Sequence, residues 1–279
     1  MSESRSPERL SQFWEERARA FASADPEGLA AVCLRGAPSY LNEFIAWSQG
    51  RAVDRLARAV PVTAGSPAVD VGCGTGRWTR WLASRGLAAA GFDISSTMVD
   101  RARQLDPSLP FAVASATSLP LADQSQEWVA SVTVLHHLPP ERQAEAVAEA
   151  GRVLRPGGKY LTIVLLSTLP AGHWCFPRTR RGWGRLFAGQ GFELVAEARE
   201  EFVTPAVLAQ WAAAGVRAVR AGTSRASDGA PGTGSGMGSR AYRALLRAAV
   251  ATSYPLERAL ADRWPAGPAT GLASLHVRR

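Results

Sequence analysis

Between residues 67 and 166 the sequence alternates short apolar runs with segments of helical periodicity, and this alternation restricts the possible fold more than any other feature. The apolar runs are AVDV, AAAGF, FAVA, WVASVTVL and KYLTIVLL, and the helical segments between them include STMVDRARQL and RQAEAVAEAGRVL. Such alternation is typical of right-handed βαβ units, whose parallel strands are covered by helices on both faces. We therefore predict an α/β fold with a doubly wound, mostly parallel sheet.

The regions on either side of this pattern add helices and two further strands. Apolar side chains recur at helical spacing from Phe13 to Phe21 and from Leu41 to Leu56, which predicts an N-terminal helical cap. The stretch RGWGRLFAGQGFELVAEARE predicts a helix that stops at Gly191 and a sixth strand, and GLASLHVRR predicts a seventh. Between these two strands lies an excursion with helical periodicity around a low-complexity segment, GTSRASDGAPGTGSGMGS.

These patterns divide the chain into four predicted regions. They are an N-terminal helical cap at residues 1–66, a core at 67–203, a helical lid insertion at 204–269 with a flexible glycine-rich loop at 222–239, and a final strand of the core sheet at 270–279. The complete sheet would then contain the five strands of the alternating region and the two that follow it.

The composition indicates the cellular location, the state of the cysteines and the partners to expect for such a fold. The longest apolar run, TIVLL, is far too short to cross a bilayer and the start of the sequence is polar, so we expect a cytoplasmic protein. Cys33, Cys73 and Cys175 are an odd number of cysteines at unrelated spacings, which predicts free thiols and no metal site. The net charge of +8 comes almost entirely from scattered arginines and is weak evidence for a nucleic-acid partner.

The stretch VDVGCGTGRW places three glycines at alternate positions immediately after the first predicted strand. In a doubly wound sheet this turn is where ligands bind, and glycines there let a ligand approach the main chain without meeting a Cβ atom. A dinucleotide site would require a glycine where Arg77 stands, and a phosphate loop would end in Gly-Lys-Ser/Thr rather than in Gly76, Arg77 and Trp78. Neither of these phosphate-binding patterns fits.

Two acids flank the glycine loop and indicate a different ligand. Asp93 ends the second predicted strand, where a carboxylate can accept both hydroxyls of an unsubstituted ribose. Asp70, in the first strand, favours a ligand that carries positive charge. A nucleoside with a cationic amino-acid tail meets both requirements.

With these residues the sequence resembles the class I S-adenosylmethionine (SAM) dependent methyltransferases. The resemblance covers roughly Val69 to Leu166 and includes, in the order of the family, FDISSTMVDRAR, SATSLPLADQS, VLHHL and RVLRPGGKY. It implies a Rossmann-like sheet, SAM as the methyl donor and S-adenosylhomocysteine (SAH) as its product.

The resemblance also implies which residues bind the cofactor. They are Asp70, Gly72, Gly74 and Gly76 around the methionine part, Asp93 on the ribose hydroxyls, Ile94 on the adenine, Ser115 and Ala116 at the adenine amino group, and Thr133 and Val134 along the cofactor. The family usually has an acid where Ser115 stands. Because serine can still accept one hydrogen bond, we expect either weaker binding of the cofactor or recognition of the adenine through backbone and water.

His136 and His137, in VLHHL, are the predicted catalytic residues because they follow the fourth strand and because the unperturbed pKa of histidine lies near neutrality. A base is needed only if the acceptor carries a proton that must leave. Adjacent side chains at a strand end point in different directions, so we expect one of them, His136, to face the acceptor and His137 to pack or orient. A structural role for both histidines remains equally open.

The segment after the fifth strand, STLPAGHWCFPRTRRGWGR, is the predicted acceptor site. His173, Trp174 and Trp183, together with Tyr40 from the N-terminal cap, are the candidate substrate-binding residues. Aromatic side chains next to arginines suit a flat or anionic acceptor, or stacked bases and phosphates. A solvated basic face with its aromatic residues turned into the core explains the same pattern.

Three functions are compatible with the sequence, and we favour the first. It is methyl transfer to the oxygen, nitrogen or carbon of a small molecule, most simply an aromatic or apolar specialised metabolite. The second is modification of RNA, because GRWTRWL and VLHHLPPERQAEAVAEAGRVLRPGG are also similar to tRNA wobble-base methyltransferases, although no RNA-binding module is visible. The third is a non-catalytic chain that binds SAM or a partner protein. A homo-oligomer is possible in each case.

Overall fold

The computed structural model describes residues 6–21, 27–33, 39–166, 174–199 and 271–279. All of them belong to one compact unit, Met1–Glu201 with Thr270–Arg279. The second unit, Phe202–Ala269, contains the predicted lid insertion and its glycine-rich loop and lies outside the described residues. The four predicted regions therefore stay a prediction.

The described chain contains seven helices and seven strands in the following order. They are α1 (Pro7–Phe21), α2 (Leu29–Val32), α3 (Ser39–Ala57), β1 (Pro67–Val71), α4 (Arg77–Ser84), β2 (Ala88–Asp93), α5 (Ser96–Leu105), β3 (Phe111–Val113), β4 (Gln126–Val132), α6 (Pro140–Val153), β5 (Leu154–Leu165), α7 (Arg180–Gly189), β6 (Phe192–Arg199) and β7 (Gly271–Arg278). A short 3₁₀ turn, Leu135–His137, follows β4. No helix in these ranges is long and apolar enough to cross a membrane.

All seven strands form one sheet, in the order β3-β2-β1-β4-β5-β7-β6. The pairs among β1 to β5 are parallel, whereas β7 lies antiparallel between β5 and β6. This arrangement confirms the predicted Rossmann-like, mostly parallel sheet of seven strands. Because β1 lies between β2 and β4, the loops that follow these three strands meet at one edge of the sheet, where open α/β sheets bind ligands.

Alternate residues of each central strand enter two separate cores, one on each face of the sheet. In β1, Val69 belongs to the core that includes α6 and α7, and Ala68 to the core that includes α3 and α4. In β4, Val129 and Trp128 divide in the same way. Strands buried on both faces read as continuous apolar runs, which is why the sequence predicted them so clearly.

Local sequence signals set the ends of the helices that frame the site. The Ser95 hydroxyl accepts the N–H of Met98 at 3.2 Å and caps α5, and the Thr179 hydroxyl accepts the N–H of Gly182 at 3.0 Å and caps α7. Gly191, predicted to stop α7, has a φ of 79°, a left-handed conformation that favours glycine.

Candidate functional site

The glycine loop connects β1 to α4 with its three glycines in the left-handed region. Gly72, Gly74 and Gly76 have φ angles of 72°, 52° and 81°. L-residues with a side chain seldom adopt such angles, because the Cβ atom then crowds the backbone. The alternate glycines of the sequence are therefore required by the shape of the loop itself.

Two neighbouring side chains cover this loop closely. A Cβ atom on Gly72 would lie 2.4 Å from Cγ2 of Val134, and a Cβ atom on Gly74 would lie 2.6 Å from Cγ1 of Val32. Both distances are shorter than any real contact between carbon atoms. Val134 comes from the end of β4, as predicted, and Val32 comes from α2 in the N-terminal cap.

Asp70 is buried in β1, with only 1% of its surface exposed. Its Oδ2 accepts a hydrogen bond from the Thr79 hydroxyl at 2.8 Å, while Oδ1 has no partner among the described residues. Burial, together with the neighbouring Asp93 carboxylate, raises the pKa of Asp70 to about 7, although the Thr79 hydroxyl opposes the shift. A buried carboxylate with one unpartnered oxygen fits a cationic ligand.

Asp93 ends β2 and faces the glycine loop. Its Oδ2 accepts the N–H of Gly74 at 2.8 Å, and its Oδ1 accepts the N–H of Ser95 at 2.9 Å. Burial raises the pKa of Asp93, whereas these backbone hydrogen bonds lower it. A carboxylate oxygen can accept more than one hydrogen bond, so each oxygen of Asp93 can still accept one from a ligand hydroxyl.

Of the residues predicted to surround the adenine, Ile94 follows β2, and Ser115 and Ala116 follow β3. Ile94 and Ala116 are half-buried, and Ala116 packs against the main core. The Ser115 hydroxyl lies 3.0 Å from the Thr117 hydroxyl and accepts the Thr117 N–H at 3.3 Å. Part of its hydrogen-bonding capacity is thus used within its own turn, and the role of these three residues stays a prediction.

Thr133 follows β4 in a strained conformation, with a φ of 59°. Non-glycine residues in this region are uncommon and cluster at functional sites. The Thr133 N–H donates to Ile163 O at 2.9 Å, and its hydroxyl donates to Val132 O at 2.7 Å. Neighbouring strands hold the turn that leads into Val134 and the two histidines.

His136 and His137 lie in the 3₁₀ turn, with their ring centroids 4.3 Å apart. His136 is 2% exposed, and its Nδ1 accepts the N–H of Leu165 at 3.2 Å. His137 is half-buried, and its Nδ1 lies 2.7 Å from the carbonyl oxygen of Trp174. Burial lowers the pKa of His136 well below its usual range and that of His137 to about 4, so both are neutral at physiological pH.

These hydrogen bonds assign opposite tautomers to the two rings. Because Nδ1 of His136 accepts an N–H, its proton lies on Nε2. Because a carbonyl can only accept, Nδ1 of His137 carries its proton and Nε2 keeps the lone pair. His137 is therefore the ring that can accept a proton from a ligand, whereas the sequence favoured His136 for this role.

Cys175 lies beside the histidine pair, and one ligand atom of each of the three residues falls within a 4.8 Å cluster. The loop that carries Cys175 is held from both sides, since Phe176 N donates to His136 O at 2.6 Å and His137 bonds the Trp174 carbonyl. With its Nε2 protonated, His136 offers a donor rather than a lone pair, so this cluster suits hydrogen bonding better than metal coordination. The prediction of no metal stays a prediction.

Aromatic side chains from distant segments border the histidines. Trp14 of α1 meets the ring of His137 edge-on at 4.8 Å, and Phe13 lies 6.2 Å from Trp174. Trp174 therefore lies beside His137, and its role in binding a substrate stays a prediction. Trp183 lies in α7 and is fully buried in the core. Its indole N–H donates to the carbonyl oxygen of Leu165 at 3.0 Å, so it links α7 to β5.

Two predicted substrate-binding residues cannot be placed. His173 lies outside the described residues, and the structure describes the backbone of Tyr40, in α3, without its side chain. The sequence predicted an N-terminal helical cap that contains Trp14, but it did not single out Glu15, Val32 or Cys175 as site residues. The helical periodicity around Phe13 indicated that α1 has an apolar face, but not which residues that face would contact.

Comparison with known proteins agrees with this geometry. Residues 69–162 match a family described as "Methyltransferase domain". The chain is similar to a 27-O-demethylrifamycin SV methyltransferase of Amycolatopsis mediterranei, with 36% identity over 130 residues that cover 44% of this chain and 47% of the relative. It is also similar to a demethylmenaquinone methyltransferase of Renibacterium salmoninarum, with 33% identity over 144 residues, or 50% and 60% of the two chains.

The fold extends the likeness beyond these segments. The [4+2]-cyclase SpnF superposes with a TM-score of 0.59 at 17% identity, over 98% of this chain and 96% of that chain. The chain spans about half the length of the relatives that it matches in sequence, and the match is centred on the glycine loop, the acids and the histidine pair. Over residues 69–162 the chain is thus similar in sequence to the family of methyltransferase domains.

Proposed function

We propose that the protein transfers the methyl group of SAM to a hydroxyl of an apolar or aromatic small molecule. The observation that carries the proposal is the buried Asp70 carboxylate, whose Oδ1 has no hydrogen-bond partner among the described residues and which lies beside a loop of three glycines. A buried charged group without a partner is costly in free energy unless a ligand of opposite charge completes it.

The donor side of the site follows from residues already held in place. Asp70 is positioned to accept the ammonium group of the methionine tail, and Asp93 the hydroxyls of the ribose. The glycine loop lets the tail lie against the backbone between Val134 and Val32. When bound, SAM supplies a sulfonium whose methyl group leaves as the C–S bond breaks, with the electron pair staying on sulfur.

On the acceptor side His137 supplies the base. As the acceptor oxygen bonds the methyl carbon it becomes strongly acidic, and Nε2 of His137 takes its proton. A pKa of about 4 suffices for this transfer because a methylated oxygen that still carries its proton is far more acidic than an imidazolium. The low pKa also keeps the ring unprotonated, and therefore ready, at physiological pH.

The character of the site favours an uncharged, flat or apolar acceptor. Trp14 meets the ring of His137, and Phe13 lies near Trp174; aromatic side chains with few polar groups between them are typical of small-molecule pockets. The name of one relative, 27-O-demethylrifamycin SV methyltransferase, indicates methylation of an oxygen. This supports a hydroxyl as the methyl acceptor over a carbon atom. No described feature favours RNA, since the arginines form no long stripe.

Fold alone does not assign the chemistry, because one structural neighbour is a cyclase. The decisive experiment is to incubate the purified protein with methyl-labelled SAM and an extract of its source cells, and then to separate small molecules, RNA and protein. We expect the label in the small-molecule fraction, in a product heavier than its acceptor by one methylene unit.

Two control variants sharpen the result. Asp70→Asn should abolish labelling by loss of SAM binding, whereas His137→Gln should bind SAM and fail to label. Label in RNA would overturn the small-molecule assignment, and SAM binding without transfer to any fraction would favour a chain that uses SAM without methylating.

A further inference from the structure

Glu15, in α1, is bound to the start of a helix that lies 80 positions further along the chain. Its carboxylate accepts the hydroxyl of Ser95 at 2.6 Å, the hydroxyl of Thr97 at 2.5 Å and the N–H of Thr97 at 3.3 Å. Burial works against the charge, but these hydrogen bonds lower the pKa of Glu15 to about 2. An anion at the N-terminus of α5 is also stabilised by the helix dipole.

Ser95 links this contact to the cofactor site. Its N–H donates to Oδ1 of Asp93, the predicted ribose ligand, while its hydroxyl donates to Glu15 and caps α5. Two carboxylates from separate parts of the chain therefore share one serine. A movement of Asp93 or of the start of α5 therefore displaces Ser95, whose hydroxyl is bound to Glu15 of α1.

The same helix reaches the acceptor side one residue away. Trp14 lies against His137, and Phe13 lies near Trp174, whose carbonyl holds the His137 tautomer. The α1 helix thus contacts both the segment that follows β2 and the turn that follows β4.

Arg17 extends the bridge to the loop itself. Its Nε donates to Ala31 O at 2.5 Å and its NH2 group donates to Cys33 O at 2.7 Å, which fixes the end of α2. Val32 lies between these two carbonyls in sequence and covers Gly74. The α1 helix therefore anchors Val32, which covers Gly74, and carries Trp14, which contacts His137.

We propose that Glu15 is a positioning residue that couples occupation of the cofactor site to the placement of His137, acting through α1. The coupling rests on the proposed binding of SAM and is independent of the identity of the acceptor. Occupation of the ribose site steadies Asp93 and Ser95, Ser95 steadies Glu15, and α1 then holds Trp14 against the base. The chain of contacts is continuous, and each link is a hydrogen bond or a ring contact.

The test compares Glu15→Gln with Glu16→Gln. Glu16 is the adjacent residue of α1 and is exposed, so its variant changes the charge equally without touching α5. The probe is SAH, which binds without reacting. Three quantities are measured: the SAH dissociation constant by calorimetry, amide exchange of α1 with and without SAH, and the ring signals of His137 by NMR, which are tractable because the chain has four histidines.

In the wild type and in Glu16→Gln we expect SAH to slow amide exchange in α1 and to shift the His137 ring signal. In Glu15→Gln we expect SAH to bind about tenfold more weakly, equivalent to about 1.4 kcal/mol. At saturating SAH this variant should show neither the slowing in α1 nor the shift of His137. Unchanged exchange in β1 and β4 will show that the variant is folded.

A second variant isolates the contact. If Glu15 acts through the Ser95 hydroxyl, the double variant Glu15→Gln with Ser95→Ala should lose less SAH affinity than the sum of the two single variants, whereas independent effects would add. A His137 shift that persists in Glu15→Gln at saturating SAH overturns the coupling. Failure of the wild type to bind SAH would overturn the proposed function instead, and amide exchange without ligand would still decide whether Glu15 anchors α1.

Discussion

The two halves of the site are built in different ways. The cofactor half, from β1 through α5, is formed by one continuous stretch whose loop, acids and strand ends follow each other in sequence. The acceptor half brings together α1, the 3₁₀ turn after β4 and the segment from Trp174, which lie far apart in the chain. In the proposed function the donor would bind residues that are close in the sequence, and the acceptor would bind residues that are far apart.

This difference has a consequence for energetics. In the cofactor half single atoms, such as Oδ1 of Asp70, would each make a specific contact with SAM. Substitutions there should therefore change the affinity for SAM sharply. In the acceptor half the base depends on neighbours that orient it, so substitutions there should change turnover more than affinity. The predictions below run from the largest expected effect to the smallest.

Replacing the base should have the largest effect. We expect His137→Gln to lower turnover by about 10²–10⁴-fold, the usual contribution of a general base, while SAH affinity stays unchanged. Turnover at saturating substrates should fall only as the pH drops towards 4, because His137 must be unprotonated and its pKa is about 4. The measurement is kcat with the acceptor identified by labelling.

Cys175→Ser provides the matched control for this variant, because it changes a neighbour of His137 without removing a proton acceptor. It should keep turnover within a few-fold of the wild type. Unaltered kcat in His137→Gln would mean that methyl transfer needs no base at this position and would remove the proposed distinction between the two histidines.

Replacing Asp70 tests the cofactor half. Asp70→Asn should weaken SAH binding by roughly 100-fold, since a charged hydrogen bond contributes about 1.5–3 kcal/mol. The fold should persist, because the carboxylate it removes is buried with one oxygen unpartnered. Calorimetry gives the affinity, and Asp100→Asn, an exposed residue of α5, should bind SAH normally. Equal affinities for the two variants would contradict the assignment of Asp70.

Adding one methyl group to the loop should have an intermediate effect. Gly74→Ala should weaken SAH binding about tenfold or more, because the new Cβ would meet Val32 and the left-handed backbone itself costs about 1–2 kcal/mol. Gly157→Ala is the control, since Gly157 also has a positive φ, of 77°, but has open space around it. Both variants should lose some stability, and only Gly74→Ala should lose affinity. A loss of affinity in both would show that strain alone is responsible.

The smallest expected effect is a gain. Ser115→Asp restores an acid where the family usually has one, and a net hydrogen bond of about 0.5–1.5 kcal/mol would tighten SAH binding roughly 2–10-fold. Ser118→Asp adds the same charge at an exposed neighbouring position and should leave the affinity unchanged. If Ser115→Asp binds no better, the adenine is recognised by other groups in this chain.

The fold and the cofactor half could be predicted because they depend on local pattern. Continuous apolar runs indicated buried strands, and alternate glycines behind Asp70 indicated the loop, whose φ angles require them. The sequence also predicted a seventh strand at GLASLHVRR, although not that it would lie antiparallel between β5 and β6. Each of these signals occupies a few adjacent residues.

The acceptor half could not be predicted to the same depth because its contacts join distant positions. Glu15 and Ser95 lie 80 positions apart, and the tautomer of His137 depends on a carbonyl 37 positions away. The sequence named both histidines as candidates but could not indicate their tautomers, which depend on the N–H of Leu165 and the carbonyl of Trp174. Trp183 illustrates the converse error of reading a core aromatic as a ligand contact, since its side chain is fully buried behind β5.

The most direct test of the account is the pH dependence of SAH affinity in the wild type and in Asp70→Asn. The pKa of Asp70 is raised to about 7 without ligand, and the ammonium group of the ligand requires the ionised carboxylate. Affinity of the wild type should therefore be constant just above pH 7 and fall about tenfold per pH unit below it, whereas Asp70→Asn should bind weakly with little dependence on pH. Equal, pH-independent binding by both proteins would contradict the claim that Asp70 holds the cofactor.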